Sequence, residues 1–347
     1  MTIPATMHAL QLREVGHLDE VELPVPAPKP DEVLIRTVAT TICTSDLNDL
    51  RENPFNTPLP IVLGHEGAGR VAAVGTEVKD FQRGDRVTAH PVIPCGQCAS
   101  CREGLAHLCE QMGHLALDRN GTFAEYFAIP AWRVRHVPDG LDLATAALME
   151  PVAVCLEALA RARVTAGDTV LIVGDGPFGI IIARLALRHH PRQVILVGRH
   201  DFRLAQVPEA VCIHEKRTPD PLGAIRAAAG EHGVQAAILA VGTAAAVDLC
   251  LQSLRPRGRL AIFSAVLQPA PVDLVRVHVK ELELLGSCND DNYLDIALAY
   301  LADPELHMER LVTHRVPFAD WERAFALASH GKDEAIKVAL TFPEEGP

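Results

Sequence analysis

The chain has 347 residues, of which 44 are acidic and 32 basic, so its formal net charge is −12. This charge argues against a protein that binds the phosphate backbone of nucleic acids, because that function needs a basic face. Hydrophobic residues make up 48% of the sequence and charged residues 22%, which is typical of a folded chain and excludes a disordered one. We find neither an apolar run of the ~18 residues that a membrane span needs nor a secretory signal, and therefore expect a soluble cytoplasmic protein.

The first 150 residues predict a β-rich domain. Apolar segments that favour short strands, at 32–39, 69–74 and 85–89, lie between glycine and proline signals. The proline-rich stretch at 24–30 excludes a helix and indicates an extended connection.

Four of the nine cysteines lie within fifteen residues, at Cys95, Cys98, Cys101 and Cys109. An odd number of cysteines in a chain without a secretory signal is a poor disulfide framework. Thiolates at this spacing can surround one tetrahedral zinc ion, and a site closed by four thiolates is structural rather than catalytic. The spacing therefore predicts a structural zinc lobe at about 90–112, and four free thiols in a loop are the weaker alternative.

After about residue 150, helices alternate with buried strands. A predicted helix at 149–163 leads to a continuous apolar strand at 168–174, and a helix at 178–188 leads to a second strand at 193–197. Further strands are predicted at 236–241, 259–263 and 335–341, and a further helix at 292–301. This alternation predicts a doubly wound parallel sheet, so the fold class is an α/β domain combined with a β-rich domain.

The segment Gly174-Asp-Gly176-Pro-Phe-Gly179 fits the pattern G-x-G-x-x-G. The pattern alone is weak, but here it follows a buried strand and opens a helix, which is its expected context in a dinucleotide site. The glycines allow a tight turn, a close approach of the backbone to the pyrophosphate, and close packing of helix on strand. We therefore predict a bound dinucleotide cofactor.

The end of the second strand bears on the choice of cofactor. NAD sites carry an acidic residue there to bind the ribose 2′-hydroxyl, whereas this chain has Gly198 followed by Arg199. Glycine leaves room for a 2′-phosphate and arginine can bind it, so we predict that NADP(H) is favoured over NAD(H). A preference for NAD(H) stays open as the alternative. Asp201 lies three residues beyond the position expected for the acidic residue and could still reach the ribose.

Possible ligands of a second metal ion are spread over the first half of the chain. They are Cys43, His65, Glu66 and Glu150. Catalytic zinc takes a few protein ligands of this mixture and keeps one position open for water or substrate.

In this order, Gly64-His65-Glu66, the four-cysteine lobe, Glu150-Pro151 and the glycine loop resemble the zinc-dependent medium-chain dehydrogenases. The Glu-Pro pair is most similar to that of the polyol branch, which includes sorbitol, butanediol and threonine dehydrogenases. The resemblance covers nearly the whole chain. It implies a GroES-like catalytic domain at 1–153 and 288–347, an inserted Rossmann domain at 154–287, and substrate binding in the cleft between the two.

The resemblance also implies roles for individual residues. Cys43, His65 and Glu66 would bind the catalytic zinc, and Glu150 would bind it directly or hold its water. Ser45 would receive the substrate proton. Asp46 would not bind the zinc ion itself but would hydrogen-bond to one of its ligands and so orient that ligand. The implied cofactor contacts are Gly174, Gly176, Pro177, Phe178, Gly179, Gly198, Arg199, Arg203, Val266, Cys288 and Asn289.

Four features depart from the family pattern. Asn48 replaces the histidine that ends a proton relay in many relatives, and Glu157 replaces a usual histidine of the polyol branch. The stretch 286–289 lacks an arginine that this branch often carries, and the segment between Arg203 and Cys212 is shorter than usual. Because of these departures the sequence does not identify the substrate, although it still indicates the type of reaction.

Together the features predict a zinc enzyme with two zinc ions per chain. It would transfer hydride between NADP(H) or NAD(H) and a secondary alcohol or polyol and its ketone. An NAD-dependent dehydrogenase of a primary or amino alcohol is one alternative, and a non-catalytic NADPH-binding paralogue is another. The expected partner is a small molecule, neither nucleic acid nor membrane, and the resemblance suggests a homodimer or homotetramer.

Overall fold

The computed structural model describes residues 2–331 and 334–343 of the chain. In these residues the strands are β1 (Thr6–Glu14), β2 (His17–Pro24), β3 (Glu32–Thr41), β4 (Ile61–Val62), β5 (Glu66–Val74), β6 (Arg86–Ala89), β7 (Val92–Ile93), β8 (Gly113–His114), β9 (Tyr126–Pro130), β10 (Val134–His136), β11 (Thr169–Val173), β12 (Gln193–Gly198), β13 (Val211–His214), β14 (Val234–Leu239), β15 (Leu254–Ile262), β16 (Glu283–Gly286), β17 (Val312–Pro317) and β18 (Lys337–Thr341). The α-helices are α1 (Thr44–Glu52), α2 (Ala99–Arg102), α3 (Leu143–Ala146), α4 (Met149–Arg161), α5 (Pro177–Leu187), α6 (Asp201–Leu204), α7 (Pro221–Ala229), α8 (Ala244–Ser253), α9 (Leu274–Lys280), α10 (Leu294–Leu301) and α11 (Trp321–His330).

The chain forms two compact units. In the described residues the first unit contains 2–151, 294–331 and 335–343, and the second contains 152–293 and Glu334. We propose that these units are the GroES-like catalytic domain and the inserted Rossmann domain that the sequence suggests, with the boundaries near 153 and 288 kept as a proposal.

The first unit is built on a mixed sheet with the strand order β10-β6-β5-β3-β18-β17, with β9 also pairing with β3. Strand β3 is buried along almost its whole length because β5 and β9 cover its two edges over the first half and β18 pairs with its end. A second sheet, β2-β1-β4, packs its apolar face around Leu10, Leu12 and Phe123. The carboxyl end of β3 therefore lies deep in the unit, and the chain enters α1 there.

The second unit contains a six-stranded parallel sheet with the order β13-β12-β11-β14-β15-β16. All five residues of β11 are buried, and β12 and β14 are buried in almost every position. Such continuous apolar strands belong to sheets covered by helices on both faces. The predicted doubly wound parallel sheet is confirmed.

Several elements differ from the sequence prediction. Strands β1 and β2 form an antiparallel hairpin that we did not predict, and α1 is a helix in a stretch that we left unassigned. The helix predicted at 149–163 ends at Arg161, and the last strand begins at Lys337 rather than at Ala335. The proline-rich stretch has no regular structure beyond Pro24, where β2 ends.

None of the helices in the described residues is both long and apolar enough to span a membrane.

Candidate active site

Three proposed metal ligands come together at the carboxyl end of β3 and the start of β5. The ligand atoms of Cys43, His65 and Glu66 all lie within 4.8 Å of one another, and all three side chains are buried. Strand β3 delivers Cys43 as the residue that precedes α1, and β5 begins at Glu66 beside it because Thr41 pairs with Glu66 in the ladder. One thiol, one imidazole and one carboxylate form a donor set that suits zinc.

Asp46 organises this group from the first turn of α1. One carboxylate oxygen accepts the Cys43 N–H at 2.8 Å, and the other accepts the Gly64 N–H at 3.2 Å and lies 3.3 Å from Nδ1 of His65. Nδ1 is thereby engaged, so Nε2 is the nitrogen left to bind a metal. Burial disfavours the protonated ring, but Asp46 and Cys43 outweigh it and hold the pKa of His65 well above its ordinary value.

Glu66 has two further partners that we did not predict. Lys337, which is buried on β18, contacts both carboxylate oxygens and lies 2.6 Å from Oε2, and Thr41 donates its hydroxyl to Oε2. Burial disfavours the Lys337 ammonium, but Glu66, Cys43 and Glu150 hold its pKa above the usual range. A lysine within the apolar run of 335–340 is the sequence signal that could have revealed this pair, because a buried lysine needs an anion.

The other predicted residues of this region lie on α1 and α4. Glu150 is buried in the first turn of α4 and is close enough to Lys337 to influence its pKa, but it is not part of the three-ligand group. Ser45 is half-buried on α1, two residues after Cys43. The side-chain oxygen of Asn48 accepts a hydrogen bond of 2.7 Å from Arg51.

A second histidine, His114, packs beside the metal group and was also missed. The centres of the His114 and His65 rings are 5.7 Å apart, and the rings are tilted by 54°. Burial, together with His65, lowers the pKa of His114 to about 3, so its ring is neutral. No residue spacing in the sequence links 114 to 65, which explains why pattern reasoning did not find it.

The four cysteines of the predicted structural lobe also converge. The thiol sulfurs of Cys95, Cys98, Cys101 and Cys109 lie within 4.8 Å of one another. Backbone N–H groups point at these sulfurs, for example from Cys98 to Cys95 at 3.4 Å and from Cys95 to Cys109 at 3.3 Å. Hydrogen bonds from the Cys101 and Glu110 N–H groups lower the pKa of Cys98 to about 6. Burial and the neighbouring Cys98 thiol raise the pKa of Cys101 to about 12. The hydrogen bonds therefore favour a thiolate at Cys98 rather than at Cys101, and the thiolate is the form that binds zinc.

The glycine loop of the second unit lies between β11 and α5. Gly174 has φ +122, a conformation that L side chains rarely adopt, and a Cβ at Gly179 would approach the Gly174 carbonyl oxygen to 1.9 Å. A Cβ at Gly176 would meet no atom within 4 Å, so this glycine leaves open space at the start of α5. That space is where a dinucleotide pyrophosphate is expected to approach the helix.

Asp175, the second residue of the loop, contacts the end of β12. Its Oδ2 accepts hydrogen bonds of 2.7 Å from the N–H groups of Arg199 and His200. A Cβ at Gly198 would lie 2.4 Å from the Cβ of Asp175, so any other residue at 198 would displace this carboxylate. The guanidinium of Arg199 pairs with Glu215 through two contacts of 2.6 and 3.2 Å.

The remaining predicted cofactor residues all lie in the second unit. Arg203 is buried on α6, and Phe178 packs edge-to-face on Phe263 with 5.2 Å between ring centres. Val266 is half-buried, and Cys288 and Asn289 follow β16, where Asn289 adopts φ 53. The structure places them in one unit with the glycine loop, and their cofactor contacts stay predictions.

The comparison with known families supports a single classification. Residues 29–139 match the alcohol dehydrogenase GroES-like domain, and residues 177–301 match the zinc-binding dehydrogenase domain. The chain is 32% identical to a sorbitol dehydrogenase from Bacillus subtilis strain 168, over 99% of both sequences.

Solved structures agree. A zinc-binding dehydrogenase from Sinorhizobium meliloti 1021 bound to NADP has a TM-score of 0.91 and 27% identity, covering 98% of this chain and 100% of the other. An alcohol dehydrogenase, rspB of Escherichia coli CFT073 with NADH, has a TM-score of 0.89 and 27% identity with the same coverage. The chain thus belongs to the zinc-dependent medium-chain dehydrogenase family, in its polyol-dehydrogenase-like branch, and is an alcohol oxidoreductase. This confirms the resemblance found in the sequence.

Proposed function

We propose that the chain oxidises a secondary alcohol or polyol to its ketone, and catalyses the reverse reduction, with NADP(H) favoured over NAD(H). The observation that carries this proposal is the convergence of Cys43, His65 and Glu66 within 4.8 Å, in a chain whose second unit holds a dinucleotide loop. Sorbitol dehydrogenase from Bacillus subtilis, a named relative, supports a polyol as substrate.

The three residues fit a catalytic zinc ion by their chemistry. Cys43 offers a thiolate, His65 offers Nε2 because Asp46 engages Nδ1, and Glu66 offers a carboxylate already held by a cation. Zinc bound there would supply a Lewis acid that polarises the substrate oxygen. We further propose that Glu150, buried near Lys337, holds a water or substrate oxygen at this site.

Ser45 is proposed to receive the proton of the substrate hydroxyl. It lies on α1 between Cys43 and Asp46, and its hydroxyl is half-buried. Of the other hydroxyl residues within two positions of Cys43, Thr44 is exposed and Thr41 donates its hydroxyl to Glu66. Asn48 follows on the same helix and cannot accept and release a proton near neutral pH. The proton is therefore expected to leave through the cofactor ribose and water rather than through a side chain at 48.

The proposed preference for NADP(H) depends on Arg199, because the space beside Gly198 is filled by the Asp175 side chain. A 2′-phosphate would need the Arg199 guanidinium, which pairs with Glu215 through two contacts. We propose that Arg199 exchanges Glu215 for the phosphate, since a doubly charged phosphate is the stronger partner for a planar guanidinium. One solved relative carries NADP and another NADH, so both cofactors are chemically plausible for this fold.

The proposal also includes a second, structural zinc ion in the four-cysteine lobe, and hence two zinc ions per chain. A homodimer or homotetramer and a cytoplasmic location are further proposals that come from the family resemblance and the sequence.

A substrate panel tests the proposed function. Purified zinc-loaded protein is incubated with secondary alcohols, polyols, primary alcohols and amino alcohols, each with NADP⁺ and with NAD⁺, while absorbance of the reduced cofactor is followed. We expect turnover of a secondary alcohol or polyol with a higher kcat/KM for NADP⁺. Turnover of only primary or amino alcohols with NAD⁺ would contradict the proposal and identify an NAD-dependent dehydrogenase of those alcohols. Cofactor binding without any turnover would identify a non-catalytic cofactor-binding protein.

A further inference from the structure

A cavity with a basic lining lies in the first unit and shares no residue with the candidate active site. It has a volume of about 190 Å³, and Arg36, Arg70, Arg83 and Tyr126 line it. None of the described residues that line it is acidic. Three arginines around one cavity form a local positive charge in a chain whose formal net charge is −12. The lining therefore favours an anionic ligand.

The pairing of the strands places three of these side chains on one face of the sheet. Arg36 on β3 lies directly opposite Arg70 on β5 and directly opposite Tyr126 on β9. Residues in this relation project to the same face, with Cβ atoms about 4.5–5.5 Å apart. Two arginines directly opposite each other repel, and an anion held between them removes the repulsion. The row of Tyr126, Arg36 and Arg70 is therefore an arrangement that an anion stabilises.

Arg83 joins this row from the turn that precedes β6. Nη1 of Arg70 donates a hydrogen bond of 3.2 Å to the carbonyl oxygen of Gly84. The N–H of Gly84 donates one of 2.8 Å to the carbonyl oxygen of Val71. These two bonds hold the turn against β5, so the position of Arg83 beside the cavity is fixed by the sheet.

The Tyr126 hydroxyl lies within the electrostatic reach of two of the arginines. Burial raises the pKa of Tyr126 and Glu125 adds to the rise, whereas Arg36 and Arg83 lower it. Glu125 itself accepts the N–H of His8 at 2.8 Å. Because the pKa of Tyr126 stays above its ordinary value, the phenol keeps its proton near neutral pH and can donate a hydrogen bond.

We propose that this cavity is a carboxylate-binding site, in which Arg36, Arg70 and Arg83 bind the carboxylate oxygens and Tyr126 donates its hydroxyl to one of them. A planar guanidinium matches the two oxygens of a carboxylate, and its five N–H donors let it bind one alongside its contacts within the protein. One water needs roughly 10–15 Å³ of such space, so the cavity has room for a small dicarboxylate. This inference goes beyond the proposed function and does not depend on it.

The carboxylates have two possible sources, which are a free dicarboxylate and the chain itself. Strand β18 runs antiparallel to β3, and the N–H of Phe342 donates a hydrogen bond of 2.9 Å to the carbonyl oxygen of Val38, two residues from Arg36. The sequence continues after Pro343 with two acidic residues, Glu344 and Glu345. The experiment is therefore designed to distinguish these residues from a free ligand.

Calorimetric titration of the purified protein with succinate, at constant ionic strength, identifies the source. Saturable binding by the wild type assigns the site to a free dicarboxylate. Binding only by Glu344→Gln/Glu345→Gln assigns it to carboxylates of the chain, because succinate then takes the place that they leave. In either protein we expect Arg83→Gln, at an exposed position, to weaken binding by at least about 10-fold. Arg13→Gln, at an exposed arginine on β1, should leave binding unchanged.

Thermal unfolding gives a second readout that does not require succinate. If carboxylates of the chain occupy the cavity, the loss of melting temperature on combining Glu344→Gln/Glu345→Gln with Arg83→Gln should be smaller than the sum of the separate losses. Arg13→Gln in place of Arg83→Gln should give additive losses. Absence of succinate binding in both proteins, together with additive losses for Arg83→Gln, would overturn the proposal. Neither measurement involves turnover, so a failure of the proposed function would leave this inference intact.

Discussion

Lys337 is buried with Glu66, one of the proposed metal ligands. A carboxylate and an ammonium are both costly to bury, and each compensates the other here. If zinc binds Glu66 as proposed, the metal ion takes over part of this compensation from Lys337. The pair therefore predicts a coupling between metal binding and the stability of the first unit.

We predict that Lys337→Met destabilises the zinc-free protein more than the zinc-loaded protein. Without Lys337, the buried Glu66 carboxylate lacks a cation, a loss that typically costs about 3–5 kcal/mol, and zinc can replace the missing charge. The measurement is thermal unfolding with chelator and with added zinc. Lys29→Met, at an exposed lysine, is the control. An equal loss of thermal stability with and without zinc would count against the coupling.

The preference for NADP(H) gives a second prediction at the residue scale. Arg199→Leu should raise KM for NADPH by at least about 10-fold and leave KM for NADH nearly unchanged, because only the 2′-phosphate needs the guanidinium. Glu215→Gln should lower KM for NADPH, because it releases Arg199 from its ion pair. Steady-state kinetics with both cofactors measure these changes. Unchanged KM for NADPH in Arg199→Leu would remove Arg199 from the site.

Some of the residues of the candidate site could be predicted from the sequence. Cys43, His65 and Glu66 stand in recognisable motifs, and the structure brings them together. Lys337 and His114 come from segments far along the chain from Cys43 and His65. Lys337 reaches Glu66 because β18 pairs with β3, and His114 contacts His65 through its ring. Asp175 stood inside a known motif, but its contact with Gly198 depends on how closely two parallel strands pack.

At the scale of elements, hydrogen bonds at the first turn stabilise helices that the hydrophobic periodicity of the sequence did not reveal. Helix α1 is short and polar, so it has no apolar stripe to reveal it. The Asp46 carboxylate stabilises its start by accepting a hydrogen bond from the backbone N–H of Cys43. In α3, Asp142 accepts hydrogen bonds from the N–H groups of Ala144 and Thr145.

The cap at Asp142 predicts a pH dependence of stability. Burial opposes ionisation, but the Thr145 hydroxyl, Arg315 and the two backbone N–H groups outweigh it and lower the pKa of Asp142 below its ordinary value of 3.8. A carboxyl whose pKa is lower in the folded state than in the unfolded state stabilises the protein above the unfolded pKa. That contribution is lost as the pH falls through the folded pKa.

Asp142→Asn should therefore lower the melting temperature near neutral pH. The difference in melting temperature between wild type and variant should become smaller as the pH falls below about 4. Asparagine still caps the helix, so the loss reflects charge rather than the cap itself. Thermal unfolding between pH 3 and 7 measures the effect, with the exposed Asp139→Asn as control. A gap that stays constant or widens as the pH falls would contradict a lowered pKa at Asp142.

The four-cysteine lobe gives a second prediction for an element. Cys98→Ser should lose one zinc ion per chain and lower the melting temperature, because a structural zinc site contributes directly to folding. Metal analysis and calorimetry measure both effects. Cys212→Ser, at an exposed cysteine outside both groups, should change neither. Retention of both zinc ions in Cys98→Ser would exclude the lobe as a zinc site.

At the scale of the whole molecule, the sequence predicted the architecture more fully than the details. The apolar runs of β11, β12 and β14 are strong signals because parallel strands are buried on both faces, and the parallel sheet followed from them. The hairpin of β1 and β2 was not predicted, because β2 is largely exposed and carries charged residues. Pairing between distant strands, such as β18 with β3, cannot be read from local periodicity.

The central claim is that Cys43, His65 and Glu66 hold a metal ion on which alcohol oxidation depends. The most direct measurement compares zinc content and turnover in the same preparations of wild type and Cys43→Ser. We predict two zinc ions per chain in the wild type and one in Cys43→Ser. We also predict that turnover in Cys43→Ser falls by at least about 1000-fold, while the Kd for NADPH is unchanged. A Cys43→Ser protein that lacks this zinc ion but oxidises its alcohol at the wild-type rate would contradict the account.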